Sequence, residues 1–492
     1  MSDDADALTR AELLQRARDA DVAGRSTMTK EQLAQAVGAG TQTGSRVEAF
    51  RSLALQRARG EMVFLPRHLS GLERRRHVRQ TIREDHETRI SSRSQDAEEK
   101  FEKLHDSLFS FFRGTCLLFY RDLAGEDAWM PTVLTLGDVH PENFGVMPSA
   151  DDVPIFGVND FDEAYYAPFT WDLKRGATGF VIAAQEEGGH GRKQQRRIAA
   201  AFVRGYVEAM RGYATDATEQ QGQMREDNAP KIIRRLFESA KEERDGWLAR
   251  KYHDEYRRGF RADDEHVPVS SRVPEFQEAL ERFARENDIE VPARAGSMRV
   301  KDVCQRLGQG TASLGLPRYY LMVEGPNADG TDDLLLELKQ ARRSALAGLV
   351  PPSEYVVDGN ADRISHAQGV HLVRGDRFYG AVEMDGLSFM VRERSPYRDD
   401  IDLDELSDKQ WRRYAAICGA SLAQSHALSD EAGLVDHDIE PDVLEAIGPE
   451  ELFVQDIVEY AAEAADRVRA DHRHFRSDQE LGAFAMVDRV FR

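Results

Sequence analysis

The stretch LTLGDVHPENFG (residues 134–145) decides how the rest of this chain is read. An apolar run ends in Gly137 and Asp138, and Asn143 follows Asp138 by five positions. A second apolar run, IFGVNDFD (155–162), ends in Asp160 and Asp162. Both patterns predict short strands running into acidic loops. The five-residue step lets a short loop turn back, so that Asp138 and Asn143 point into one cleft. Phosphoryl transfer from ATP needs a carboxylate that orients and deprotonates the acceptor. It also needs hard oxygen ligands for the Mg²⁺ on the phosphates. Asp138, Asn143 and Asp160 can supply both. Alone, either motif reads equally as loop carboxylates binding water; their paired order and spacing favour function.

These motifs resemble the catalytic loop and metal-binding strand of the protein-kinase-like fold. The aminoglycoside and choline phosphotransferase branch is nearest, with its G-D-x-H-x-x-N followed by an I-D-[FW]-[DE] pattern. The resemblance implies Asp138 as catalytic base and Asn143 and Asp160 as metal ligands. Asp162 becomes a second metal ligand or a structural group. That branch carries Trp/Tyr-Asp-Leu where WDL (171–173) stands here. Asp172 is thereby expected to support the catalytic loop by hydrogen bonds, and Lys174 and Arg175 to form structural pairs. His140, within the loop motif, is open between a substrate contact and a structural role. Arg113 precedes the loop and is either half of a buried ion pair or an anchor for a phosphate or acidic substrate group.

The nucleotide-binding half is expected later in the chain. RLGQGTASLG (306–315) is a glycine-rich turn, followed by YYLMV (319–323), a turn at NADG (327–330) and LLLELK (334–339). Glycines let backbone approach phosphates closely and accept positive φ. The pattern reads as strand, glycine loop, strand, turn, strand. Gly308, Gly310, Ser313 and Gly315 are then the phosphate cover, and Lys339 the ATP-binding lysine. Ser313 stands where a third glycine would be. The acidic partner of Lys339 is left open among Asp362 and Gln368, on a helix predicted over 360–373, and Glu354. RFYGAVE (377–383) and LSFMVRE (387–393) flank Asp385 and Gly386 and predict a hairpin leading to a hinge near 392–396. A helix through LAQSHA (422–427) makes His426 structural.

The catalytic loop thus precedes the glycine loop, the reverse of the usual kinase order, which implies a circular permutation. The same order and words are similar to those of the bacterial domain-of-unknown-function family 2252. They stand here as FRG (112–114), residues 137–145, NDFDEA (159–164), WDLKR (171–175) and the stretch from Gly308 to Lys339. The resemblance spans residues 45–490 and implies a fold rather than a substrate.

The chain has 492 residues, with 66 Lys and Arg against 87 Asp and Glu, a net charge of −21. That excess opposes a protein whose main task is to coat nucleic acid or anionic membrane. The three cysteines, Cys116, Cys304 and Cys418, form no C-x-x-C pair, which argues against a disulfide framework or zinc cluster and fits a reducing cytoplasm. The acidic start lacks the pattern of a signal peptide, and no apolar run reaches membrane-spanning length.

Residues 1–40 form a predicted two-helix module resembling Rho N-terminal and SAP-type units, which mostly contact nucleic acid; a protein-docking tether reads equally well. Residues 41–100 are polar linker and helices, and the basic stretch 67–79 reads as a solvated helix face. Residues 101–298 form a C-lobe-like catalytic part with a helical insert, 299–396 an N-lobe-like β part, and 397–492 helices completing the C-lobe. The expectation is an α+β, two-lobe, protein-kinase-like fold, circularly permuted, carrying out Mg²⁺-ATP-dependent phosphoryl transfer to the hydroxyl of an unidentified acceptor. Three alternatives stand beside it: AMP transfer or carboxylate activation on the same fold, a nucleotide-binding regulator tethered by residues 1–40, and a metal-dependent hydrolase. The last leaves Lys339 and the glycine loop without a role.

Overall fold

A computed structural model of the chain describes residues 29–30 and 45–485, apart from 62, 64, 93–94, 240–241, 309–315, 328 and 398. The two-helix module expected over 1–40 therefore lies outside the described residues except Thr29 and Lys30. Gly310, Ser313 and Gly315 lie outside them too.

The fold is mixed α and β and begins, among the described residues, with helices. These are α1 (Arg46–Ala58), α2 (Gly71–Asp85), α3 (Glu87–Ser92), α4 (Gln95–Asp106), α5 (Leu108–Gly114) and α6 (Cys116–Leu123). Short strands follow: β1 (Thr132–Thr135), β2 (Phe144–Pro148), β3 (Pro154–Val158) and β4 (Tyr165–Pro168). Next come α7 (Phe169–Glu186), α8 (Arg192–Asp216), α9 (Lys231–Ser239) and α10 (Arg244–Lys251). The β-rich part holds β5 (His266–Pro268), α11 (Val273–Glu286), β6 (Val300–Arg306), β7 (Arg318–Val323), β8 (Leu334–Gln340), α12 (Ala361–His371), β9 (Gly380–Met384) and β10 (Leu387–Arg394). After β11 (Asp399–Asp400) come α13 (Asp408–Glu431), α14 (Ile439–Ile447) and α15 (Glu450–Glu480).

Six strands form one sheet in the order β5-β6-β7-β8-β10-β9, every neighbouring pair antiparallel. β8 is central, which explains its run LLLEL: a strand covered on both faces need not alternate. On one face Leu336, Leu321, Val303 and Val391 pack against Phe276 and Phe283 of α11. The other face carries Tyr320 and Met322, which pack with Trp247 and Tyr252. It also carries the charged pair Glu337 and Lys339, since alternate side chains share a face.

The larger core belongs to the helical half. It gathers α7, α8, α13 and α15 around the two small sheets β1-β4 and β11-β2-β3. α8 and α13 cross closely because Gly205 and Gly419 face each other's helix. A Cβ on Gly205 would collide with the carbonyl of Ala416, and one on Gly419 with that of Phe202. α13 starts with a capping box in which Ser407 and Gln410 satisfy each other's end of the first turn.

The basic stretch 67–79 departs from the solvated face expected of it. Arg74 is 4% exposed and bridges Asp122 of α6 (Nη1–Oδ1 2.7 Å) and Asp471 of α15 (Nε–Oδ1 2.9 Å). His77 is buried beside it, and burial followed by the Arg74 charge pushes its pKa down to about 3. Two acidic partners far away in sequence convert a basic run into a core clamp. Among the described residues no helix is long and apolar enough to cross a membrane. All three cysteines are free and buried.

Candidate functional site

β1 delivers the loop 136–143 to the junction of the two halves, and Gly137 makes its turn possible. Its φ is +90°, and a Cβ there would strike the carbonyl of Glu163. Asp172, fully buried on α7, accepts hydrogen bonds from the backbone N–H of Leu136 (2.6 Å) and of Gly137 (3.0 Å). A carboxylate only accepts, so His426 Nε2 donates to Asp172 Oδ2 at 3.1 Å. Tyr206 Oη lies 2.9 Å from His426 Nδ1. The loop is therefore held by a buried chain from α8 through α13 to α7, and both Asp172 and His426 have supporting positions.

Asp138 is nearly buried, and its Oδ1 takes both bonds from Arg175, with Nε at 2.8 Å. Arg175 is itself fully buried, donates to the carbonyl of Phe112 and lies over that ring. The second oxygen of Asp138 takes no hydrogen bond among the described residues. Lys174, the neighbour of Arg175, points elsewhere, to Asp127 (2.8 Å) and Glu126 (3.3 Å).

Asn143 donates from Nδ2 to the carbonyl of Asp138 at 2.6 Å, which closes the five-residue turn. Its own carbonyl accepts from the N–H of Asn159 at 3.1 Å, so the end of β3 lies against the loop. Asn159 Nδ2 donates to Asp400 Oδ1 at 3.0 Å. Asp160 follows directly, its Oδ1 accepting from the N–H of Asp162 at 3.3 Å. Asn143 Oδ1 and the other Asp160 oxygen make no hydrogen bond among the described residues. Two free hard oxygens on neighbouring segments fit a Mg²⁺ ion, which takes few protein ligands and keeps several waters.

Lys339, at the end of β8, pairs with Asp162. The three candidates considered for its acidic partner, Asp362, Gln368 and Glu354, do not take that place. Around the lysine stands a set of charges that no sequence motif marked. Glu337, two residues earlier on the same face and fully buried, pairs with Arg392 of β10 and with Arg318 of β7 (3.3 Å). Burial opposes its ionisation, but Arg392 and Arg318 outweigh that and hold its carboxyl well below the usual range. Arg394 lies over the Tyr320 ring on the same face. The signal was present in LLLELK, where Glu337 and Lys339 stand two apart among leucines, and in LSFMVRER, where Arg392 and Arg394 stand two apart after an apolar run. β10 runs through Arg394, so Arg392 belongs to the sheet rather than to the hinge.

His140 and Arg113 are each taken up by a local contact within or beside the loop. His140 is buried against Phe109, and burial, with Arg113 and Arg175 adding, pushes its pKa well below the ordinary value. Arg113 pairs with Glu142 of the loop. A cavity of about 40 Å³ lies beside the junction, lined by Asn159, Phe161, Gln368, Tyr379 and Arg392 among others.

The family model described as "Uncharacterized protein conserved in bacteria (DUF2252)" matches residues 93–478. The chain belongs to the DUF2252 family. No curated protein and no solved structure matches it. The matched DUF2252 region contains both acidic motifs, the whole six-stranded sheet and the α7–α13 chain that holds the loop. α1 and the whole Arg74 helix precede it.

Proposed function

We propose that this protein is a Mg²⁺-ATP-dependent phosphotransferase acting on a hydroxyl group, with a circularly permuted kinase-like architecture. The observation that carries the reading is the Lys339–Asp162 pair, which joins the end of the central strand to the turn after β3. Further support comes from the antiparallel order β6-β7-β8-β10-β9 with α12 inserted between β8 and β9, the arrangement expected of a nucleotide-binding lobe.

On this reading Lys339 and the Arg318 and Arg392 guanidiniums meet the phosphate charge, with Gly308 at the start of the covering turn. Asp160 and Asn143 would hold the metal, which supplies charge neutralisation on the phosphates when bound. Lys339 would exchange Asp162 for phosphate as nucleotide enters. The free oxygen of Asp138 would accept the proton of the acceptor hydroxyl while Arg175 keeps the carboxylate in place. The γ-phosphorus–oxygen bond to the leaving ADP breaks as the bond to the acceptor oxygen forms.

The Asp138–Arg175 ion pair also favours a second reading, AMP transfer or carboxylate activation. A carboxylate nucleophile arrives deprotonated and needs no base, so Asp138 could remain fully occupied by Arg175. Product analysis separates the two: ADP supports phosphoryl transfer, while AMP and pyrophosphate support adenylate chemistry. Turnover of Asp138→Ala and Lys339→Ala beside the parent tests both, since equal residual turnover in all three sinks the site assignment.

A further inference from the structure

A second cluster lies in a different part of the helical half, where α8, α13 and α14 meet. A cavity of about 410 Å³ opens there, lined by Tyr213, Glu219, Asp430, Asp438 and Glu440 among others. Carboxylate oxygens of Asp430, Asp438 and Glu440 lie within 4.8 Å of one another. No Lys or Arg lines the cavity, and the single histidine, His437, faces Asp436 and Asp442 instead.

Features beyond the cluster itself point to a cation rather than to a chance gathering of acids. Glu219 lines the same cavity, is only 3% exposed, and its Oε2 is buried with no hydrogen-bond partner. An orphaned buried carboxylate oxygen is costly unless something positive completes it. Asp438 occupies the N-cap position of α14 yet makes no side-chain cap bond, its side chain engaging Glu440 instead. The last turns of both α8 and α13 border the cavity, and neither carries a basic residue. Helix C-termini are the negative ends of their dipoles and favour cations. The opposing positive end of α14 is one against two.

We propose that Asp430, Asp438 and Glu440, backed by Glu219, form a binding site for a hard divalent cation. The ligand set is entirely carboxylate oxygen, which selects calcium or magnesium over thiolate- and imidazole-seeking metals. The ligands come from a helix end, a loop and the next helix start, so the site adapts in size and suits Ca²⁺ better than the small, strictly octahedral Mg²⁺. The cavity leaves room for retained waters. Asp430 Oδ2 also accepts the N–H of Ile439 at 2.7 Å, so the metal would brace the α13–α14 turn that this bond already closes.

The test uses the full chain carrying Asp160→Asn, so that the proposed nucleotide-metal site contributes nothing. Tb³⁺ is titrated with tyrosine excitation, since Tyr213 lines the cavity, and Ca²⁺ and Mg²⁺ compete in separate arms. One Tb³⁺ displaced more readily by Ca²⁺ than by Mg²⁺ is expected. Asp438→Asn with Glu440→Gln should weaken binding by about tenfold or more, and Glu219→Gln should weaken it measurably. The neutral replacements relieve repulsion, so the metal-free double variant should melt no lower than its parent, while Ca²⁺ raises the melting temperature of the parent alone. Absence of binding at millimolar Ca²⁺, or an equal Ca²⁺-dependent rise in parent and double variant, overturns the proposal. Binding that survives in the Asp160→Asn chain is independent of any result on ATP.

Discussion

Lys339 of β8 is bonded to Asp162, a residue 177 positions earlier in the chain. The pair closes the junction where nucleotide phosphates would sit. Lys339→Met should abolish most of the Mg-ATP-dependent stabilisation. For the parent that is about 2.7 kcal/mol at a hundredfold excess over Kd. Asp162→Asn frees the lysine and should tighten metal-free ATP binding. Calorimetric titration of both variants decides; an unchanged Kd in Asp162→Asn would show that the pair does not guard the site.

Asp172 fixes the 136–143 loop through two backbone N–H groups and His426. Asp172→Ala leaves two buried donors and an imidazole without their acceptor. A loss of about 3 kcal/mol or more in urea denaturation is expected, since each orphaned buried group costs about 1–3 kcal/mol. Asp172→Asn should lose less, because one acceptor oxygen remains. Identical losses would place the stabilisation in packing rather than in the hydrogen bonds.

Arg74 joins three helices through Asp122 and Asp471. Arg74→Met leaves both carboxylates buried without their shared cation and should cost about 3–5 kcal/mol. Asp122 keeps Arg467 (Nε–Oδ2 2.8 Å), so Asp471 is the stranded charge, and adding Asp471→Asn should recover part of that loss. A double variant as unstable as Arg74→Met would show that the arginine acts by filling space.

Asp376 and Glu163 make stability fall with rising pH. Burial, with the nearby Glu393 adding, pushes Asp376 up to about 7 from 3.8. Burial likewise pushes Glu163 up to about 7 from 4.5. Folded protein therefore binds more protons than unfolded chain between those values. The stabilisation is complete below the unfolded values and is lost as pH rises to about 7, with a slope of at most about 1.4 kcal/mol per pH unit per group. Asp376→Asn should gain stability relative to the parent as pH rises from about 4 to about 7. A difference constant across that range would contradict the assignment.

The elements carrying the site were readable because their signals are local. Gly137, Asp138 and Asn143 lie within one loop, and β7 and β8 are marked by apolar runs separated by turn residues. The helix expected over 360–373 appears as α12 at Ala361–His371. What could not be read is pairing across long separations. Asp162 as partner of Lys339, Arg175 as partner of Asp138, and Arg74 as a buried clamp each depend on a residue that only tertiary packing brings near. The pairing of Glu337 inside LLLEL has no sequence signal, because its partners Arg318 and Arg392 arrive on the flanking strands β7 and β10. The acidic cavity at Asp438 escaped for the same reason, since its ligands are divided among three elements.

The chain places its β-rich part between two sets of helices that pack with each other. During synthesis, residues 266–394 can assemble their six-stranded sheet as soon as they emerge. The helices made before them must wait for α13 and α15: α8 has no Gly419 to cross against, and Arg74 no Asp471, until the ribosome has moved well past the sheet. Domains form in the order in which their contacts become available, and exposed apolar surface invites aggregation meanwhile. The earliest-made half of this protein is therefore the last to fold. Its exposed α7 and α8 faces are where a chaperone has most reason to bind the nascent chain.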